Sequence, residues 1–450
     1  MRVLLISPNK LDLPHPVYPL GLDYVAGAIS PPHEVRILDL MAAGTPEALE
    51  RTILDFQPEV VGLTLRNIDN ADATGSESYL DVTGSVVQRI RQVSRAKIVL
   101  GGSGFSILPA ETLSRLEADY GVVGEGERLV FLLEALSNGA DPAGRPGVLV
   151  RGEKTVREAG PWSGAVIRRE PAGGAGTAYY LRNGGILNMQ TKRGCPFRCL
   201  YCTYPLIEGH KLRRFAARDV AAEALALEQA GARFLFIVDS VFNADIEHSL
   251  AVARAFRQAG LKTPWGAFFT PKAPPAGYFE ELARAGLTHI EFGTDSLDPD
   301  MLQAYRKPFT VAEVFQAHQA AVAAGVNAAH FLLLGGPGET RDTLTRTLDH
   351  AEKLSPTVVF FYAGVRIYPG TALCRLALEE KSLAPGQDLL AGVFYRPKSL
   401  TLEEMADLAR DRARGRFNWV VGGGGQVAAA LIKRLRGKGH PGPLWEKLIR

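Results

Sequence analysis

Apolar residues fall along this chain in two alternating rhythms. Val3–Ile6, Glu34–Leu38, Val60–Leu65 and Ile98–Leu100 are short apolar-rich runs bounded by turn residues such as Ser7-Pro8, the pattern of buried strands. Tyr24–Ile29, Pro46–Asp55, Val82–Ser94 and Pro109–Glu117 instead have helical length and spacing. Strand and helix in turn over residues 1–165 predict a doubly wound parallel sheet, Rossmann-like in its layering. Such a sheet binds ligands past the carboxyl ends of its strands, so Pro8–Gly21, Arg66–Asn70 and Gly101–Ser106 are the loops expected to hold one. Gly101-Gly102-Ser103-Gly104 gives a backbone that can approach a flat or phosphate-bearing ligand closely.

Residues 166–185, with glycines at Gly173–Gly176, read as a linker. Beyond it, Ile186–Gln190, Phe234–Val238, Trp265–Thr270, His289–Gly293, Ala328–Leu334 and Val358–Ile367 are strand candidates, each followed by helical sequence. Six such units over residues 186–385 predict a partial (β/α)6 barrel of the TIM type, with its site at the carboxyl ends of the strands. Phe268, Phe269, Phe360, Phe361 and Tyr362 are assigned to the barrel core. Cys374, in the helical run Ala372–Glu379, is assigned to a buried apolar position, with a radical relay as its alternative. Residues 386–450 carry a helix at Leu402–Arg414, a run around Trp419, glycines at 422–425 and a basic end. They are expected to form a helical extension that packs across both domains.

Charge changes this picture little. A net charge of +3, with short basic clusters only at Lys211–Arg214 and Lys433–Lys438, gives no footprint for RNA or DNA. No apolar stretch reaches the ~18 residues of a membrane span, and the N-terminus reads as a strand rather than a secretory signal. Four cysteines in 450 residues argue against a disulfide framework and for a reducing, cytoplasmic setting.

Three of those cysteines stand within eight residues, in Arg193-Gly194-Cys195-Pro196-Phe197-Arg198-Cys199-Leu200-Tyr201-Cys202. Structural zinc would need a fourth ligand, usually in a second paired knuckle, and the chain offers only Cys374 and His210 nearby in kind or in sequence. Three thiolates on a cubane iron–sulfur cluster leave one iron open for chemistry. The C-x3-C-x2-C spacing, with Tyr201 before the last cysteine, resembles the signature of the radical S-adenosylmethionine (SAM) enzymes. Tyr18-Pro19-Leu20-Gly21-Leu22, Gly101-Gly102-Ser103 and Gly124-Glu125-Gly126-Glu127, in a Rossmann-like domain ahead of that barrel, resemble the cobalamin (B12)-binding branch of the family, so the resemblance spans nearly the whole chain.

The resemblance implies a set of sites. Cys195, Cys199 and Cys202 would carry a [4Fe–4S] cluster and be catalytic through it. SAM would meet Tyr201 at its adenine, Asp239 and Ser240 at its amino group, Glu291 and Asp295 at its ribose, and the Gly335-Gly336-Pro337-Gly338-Glu339 turn beside its adenine. Cobalamin would meet Leu20, Gly21, Arg66, Asn67, Asp69, Gly101, Gly102, Ser103, Gly124 and Glu125. The Asp-x-His-x-x-Gly motif that supplies an axial imidazole elsewhere is missing from the chain, and Arg66 would instead set a permanent cation against one corrin face. Tyr204, Arg213, Arg366 and Tyr368 are candidates for substrate contact.

The function so implied is cobalamin-dependent methylation of an unactivated carbon, by way of methylcobalamin and a 5′-deoxyadenosyl radical. The substrate class left open by composition is a small metabolite, a lipid precursor or a natural-product intermediate. A flavodoxin or ferredoxin would supply electrons. The alternatives are a radical SAM reaction without methyl transfer, such as cyclisation, rearrangement or oxidation, with or without bound cobalamin, and a non-catalytic cobalamin or redox sensor.

Overall fold

The computed structural model describes the 450-residue chain except for residues 74, 76, 171–173, 423–431, 433, 438 and 450. Gly173, the glycines at 423–425, Lys433 and Lys438 therefore lie outside the described residues. The N-terminal sheet holds β1 (Arg2–Ser7), β2 (Glu34–Asp39), β3 (Val60–Thr64), β4 (Lys97–Gly101), β5 (Tyr120–Val122) and β6 (Val148–Val150). Their order is β2-β1-β3-β4-β5-β6, with all neighbours parallel until β6, which runs antiparallel to β5. Val3, Leu4, Leu5 and Ile6 are at most 1% exposed, because helices cover both faces of the central strand β1. Strand order reverses between β1 and β3, so the loops leaving these two strands diverge and open a crevice.

The second sheet contains β7 (Ile186–Met189), and a two-stranded ribbon comes after it, β8 (Lys192–Arg193) with β9 (Arg213–Arg214), which brackets the cysteine loop. The sheet continues through β10 (Phe234–Ile237), β11 (Trp265–Phe269), β12 (Leu287–Asp295), β13 (Asn327–Leu334) and β14 (Val358–Ala363) in parallel register. The expected strand Val358–Ile367 breaks at Gly364, whose φ of +94° suits glycine. Past this break the chain forms β15 (Val365–Arg366), paired antiparallel with β16 (Phe394–Tyr395).

The C-terminal extension differs from the helical cap expected of it. Its helix Leu402–Ala413 starts at a Thr401–Glu404 capping box. β17 (Trp419–Val421) then adds a seventh parallel strand beside β14, and the short 3-10 turn Leu444–Leu448 folds against the barrel. Trp419-Val420-Val421 is too short for periodicity to reveal; pairing with β14 makes it a strand.

The two domains share their interior. Ile6, Leu63, Leu65 and Phe105 of the first pack in one cluster with Leu200, Tyr305, Ile367 and Cys374 of the second, while Tyr18, Leu20 and Tyr24 join the barrel core. Buried ion pairs cross the same boundary, Arg366 to Asp69 at 2.8 Å and Arg193 to Glu125 and Glu127 at 2.8 and 2.6 Å. No helix among the described residues is long and apolar enough to cross a membrane.

Candidate functional site: a cysteine loop beside an interdomain cavity

Cys195, Cys199 and Cys202 lie on the loop between β8 and the short helix Tyr204–Glu208. The loop is tied down by its backbone: Cys195 N donates to Gly209 O at 3.1 Å, Leu200 N to Tyr305 O at 3.0 Å, and Gly194 N to Glu208 Oε2 at 3.0 Å. Gly194 has φ +90°, and any side chain there would strike Lys211 O. All three cysteines are free thiols. Burial raises the pKa of Cys195 and Cys199 and pushes Cys202 up to about 12, a penalty that thiolates escape by binding metal. The backbone amides of Phe197 and Tyr204 partly offset that rise at Cys195 and Cys202, the kind of support a thiolate-bound cluster needs. Among the described residues no three His, Cys, Asp or Glu side chains draw together around one metal ion.

At the barrel rim the residues expected at SAM have protein partners of their own. Asp239 is committed: its carboxylate accepts from Thr191 N at 2.7 Å, Thr191 Oγ1 at 2.6 Å and Lys192 Nζ at 2.7 Å, all buried. It anchors the strand before the cysteines. Ser240 Oγ donates to Gly194 O at 3.0 Å. A side chain at Gly335 would meet Leu402, and one at Gly336 the Tyr305 ring, so these glycines make room for the chain itself. Glu339 closes the turn by accepting from Gly335 N at 2.6 Å, its carboxyl pushed up to about 7 by burial. Glu291 lines the cavity and accepts from Trp445 Nε1 at 3.0 Å.

Asp295, with φ +60°, accepts from the Tyr201 hydroxyl and pairs with Lys307 Nζ at 2.6 Å. Lys307 Nζ also lies 3.9 Å from Cys199 Sγ. Burial opposes its charge, yet Asp295 and the neighbouring thiols outweigh that and hold its pKa above the usual lysine value. Sequence reasoning missed Lys307, because it lies between helices far from any strand end.

Between the domains opens a cavity of about 1160 Å³, larger than the pockets that take drug-sized ligands. Leu20, Gly21, Arg66, Asn67, Gly101, Gly102, Ser103, Gly124 and Glu125 all line it, as do Tyr204 and Glu208 just past the cysteines. Gly102 has φ +100°, and a Cβ there would be 2.6 Å from Leu65 O; this holds the turn open toward the cavity. Arg66 faces the cavity with no hydrogen bond or ion pair of its guanidinium among the described residues, and burial pulls its pKa below the usual arginine value.

Other candidates are spoken for. Glu125 accepts from Trp162 N at 2.6 Å, Arg193 at 2.8 Å and Arg213 at 2.7 Å, so Glu125 and Arg213 clamp the domains together. Asp69 and Arg366 bind each other, and the Arg366 guanidinium lies 4.8 Å from the Tyr368 ring centre. The charged groups of these four are therefore already paired within the protein. Cys374 lies in the apolar core, and its amide donates to Thr371 Oγ1 at 3.2 Å.

The residues left uncommitted fit a corrin: a roomy crevice at the switch point, close-approach glycines, Asn67 for an amide, and a free cation at Arg66. Replacing Arg66 with His is expected to shift the visible spectrum of bound cob(II)alamin toward an axially ligated form. An unchanged spectrum would place Arg66 off the cobalt face.

Two family models match the chain. Residues 7–132 match the B12 binding domain and residues 189–351 the Radical SAM superfamily. The chain is 27% identical to tryptophan 2-C-methyltransferase of Streptomyces laurentii, over 84% of this chain and 74% of that protein. It is 27% identical to an uncharacterized methyltransferase of Pyrococcus horikoshii, over 85% and 84%. Its fold superposes with TM-score 0.86 on the radical SAM methyltransferase TsrM of Kitasatospora setae, solved with tryptophan and a SAM analogue, at 24% identity over 99% of this chain and 97% of that one.

Proposed function

The chain belongs to the radical SAM proteins that carry an N-terminal B12 binding domain, and from that premise we propose that it methylates carbon in a small molecule, in the cytoplasm, with electrons from a flavodoxin or ferredoxin. The observation that carries this reading is the shared cavity: switch-point loops, the helix after the cysteines and the barrel lumen all open into it. When bound, the cluster and SAM supply radical-forming electron transfer and the corrin supplies a methyl carrier. The protein's part is to hold and exclude. Cys195, Cys199 and Cys202 would hold the cluster, Lys307 would keep a cation beside it, and Arg66 would border the corrin face. Phe236, Phe268, Phe331, Phe360 and Tyr362 line the lumen and keep water from the reacting carbon.

Replacing Lys307 with Met is expected to lower the cluster's midpoint potential by on the order of 100 mV, the effect of one charge at this range in a medium of effective dielectric about 20. Redox titration followed by electron paramagnetic resonance checks it. The reading as a whole is tested by anaerobic reconstitution with iron, sulfide and hydroxocobalamin, then reductant and SAM. Bound corrin with S-adenosylhomocysteine supports methyl transfer. Deoxyadenosine alone, without corrin, would instead favour radical chemistry of another kind.

A further inference from the structure

Deep in the cavity, alternate residues of β11 to β14 face the lumen, and Trp445 of the C-terminal 3-10 turn joins them. Phe331 and Phe360 stack with centroids 4.7 Å apart and planes at 10°, and Tyr362 continues the wall at 8° to Phe331. Phe268 keeps 38% of its surface accessible although it lies mid-strand in the barrel. Into this apolar space projects Glu291. Trp445 Nε1 donates to its Oε1 at 3.0 Å, and no other hydrogen bond or ion pair of this carboxylate is found among the described residues.

The other buried acids on the cavity wall are provided for. Glu125 and Glu127 pair with Arg193, and Glu208 accepts from Gly194 N and Gln190 Nε2. The lining cations are Lys10, Arg66 and Arg193, and none is ion-paired with Glu291. Tyr362 borders its carboxyl. His289, two residues back on β12, pairs with Glu446 at 3.0 Å and is held below the usual histidine pKa by burial, and burial pushes the Glu291 carboxyl up to about 7. A carboxylate within aromatic walls is a site built around one missing charge.

We propose that Glu291 and its aromatic wall form the anchoring subsite for a protonated amine on the substrate. The proposal rests on the functional reading above, since it places the amine in the same cavity as the cofactors. An ammonium group gains a charge-assisted hydrogen bond to Glu291 and a cation–π contact with the surrounding rings, and both strengthen as water leaves. A carboxylate or phosphate at this end is repelled by Glu291. An alcohol leaves the carboxylate without a counter-charge. Docking the amine also favours the ionised carboxylate, so binding releases a proton below pH 7 and weakens as pH falls through that value.

Calorimetric titration of the reconstituted holoprotein, without reductant, tests this with three probes of one shape: 2-phenylethylamine, 2-phenylethanol and 3-phenylpropionate. The amine is expected to bind at least about tenfold more tightly than the alcohol at pH 7.5, and to lose about fivefold between pH 7 and pH 6. Glu291→Gln is expected to erase the preference while keeping corrin and cluster absorbance, which shows that the variant is folded and loaded. Equal affinities for amine and alcohol, a preference that survives Glu291→Gln, or no saturable binding of the amine at millimolar concentration would each overturn the subsite. No turnover is involved, so the two readings fail separately: amine preference without S-adenosylhomocysteine formation removes methyl transfer alone, and the reverse removes only the subsite.

Discussion

Single replacement of Cys195, Cys199 or Cys202 by Ala is expected to leave a folded protein that holds less iron and cleaves SAM at least about 10³-fold more slowly, because members of one functional unit fail together. The loop should survive the loss. Its shape is set by Gly194, by the amides of Cys195 and Leu200 bonded to Gly209 and Tyr305, and by Glu208, none of which involves a sulfur. The variant loses one of three anchors for a cluster that already has an open iron, and with it the relation of that iron to the cavity. Cys374→Ala serves as the control. Its sulfur lies in the apolar core on the helix Ala372–Glu379, so the change should cost some stability and leave cleavage intact. Iron and sulfide content, with product analysis by mass spectrometry, separates the cases. A cysteine variant that retained full cleavage would move the cluster off this loop.

The contrast between those cysteines and the other site residues shows what a sequence carries. Cysteine spacing is legible because the metal dictates it: sulfur is the ligand and the loop length is part of the site. Strands buried on both faces are legible for a related reason, and β1, β3 and β4 stand where their apolar runs put them. Short strands such as β5, β6 and β17 are not, because three residues show no period and only a neighbour's edge makes them strands.

Lone carboxylates at strand ends are the hardest case. Asp239, Asp69 and Glu125 each have the chemistry for a cofactor contact, but each is matched to a cation the fold brings up, Lys192, Arg366 or Arg193. Asp69 and Arg366 are 297 residues apart, and nothing local announces the pairing. Alternation has a similar effect within the barrel. Phe268 and Phe269 look alike in sequence, yet one faces the lumen and the other, 1% exposed, the core.

Glu125→Ala is expected to destabilise the protein by about 3–5 kcal/mol, the cost of removing one partner from a buried ion pair. Three guanidiniums depend on this carboxylate: Arg193 at 2.8 Å, Arg213 at 2.7 Å and Arg128 at 3.8 Å. Without it Arg193 keeps Glu127 at 2.6 Å, while Arg213 and Arg128 are left with backbone carbonyls. Burial works to raise the Glu125 carboxyl, but the Trp162 amide and the two bonded arginines outweigh it and hold its pKa below the usual glutamate value. Its contribution is therefore present above the unfolded-state pKa and is lost as pH falls through the lower folded-state value. The stability gap between wild type and Glu125→Ala should narrow in acid accordingly.

A double replacement, Glu125→Ala with Arg213→Ala, should recover part of the loss, since it removes one stranded cation as well. Urea unfolding of the four proteins completes the cycle, and a single-variant loss under about 1 kcal/mol would mean water already reaches the network. Position gives the variant a second consequence. Glu125 belongs to the B12-side loop and Arg193 stands two residues before Cys195, so this carboxylate is a direct tie between corrin crevice and cluster loop. With it gone, the loop should release iron faster on exposure to chelator.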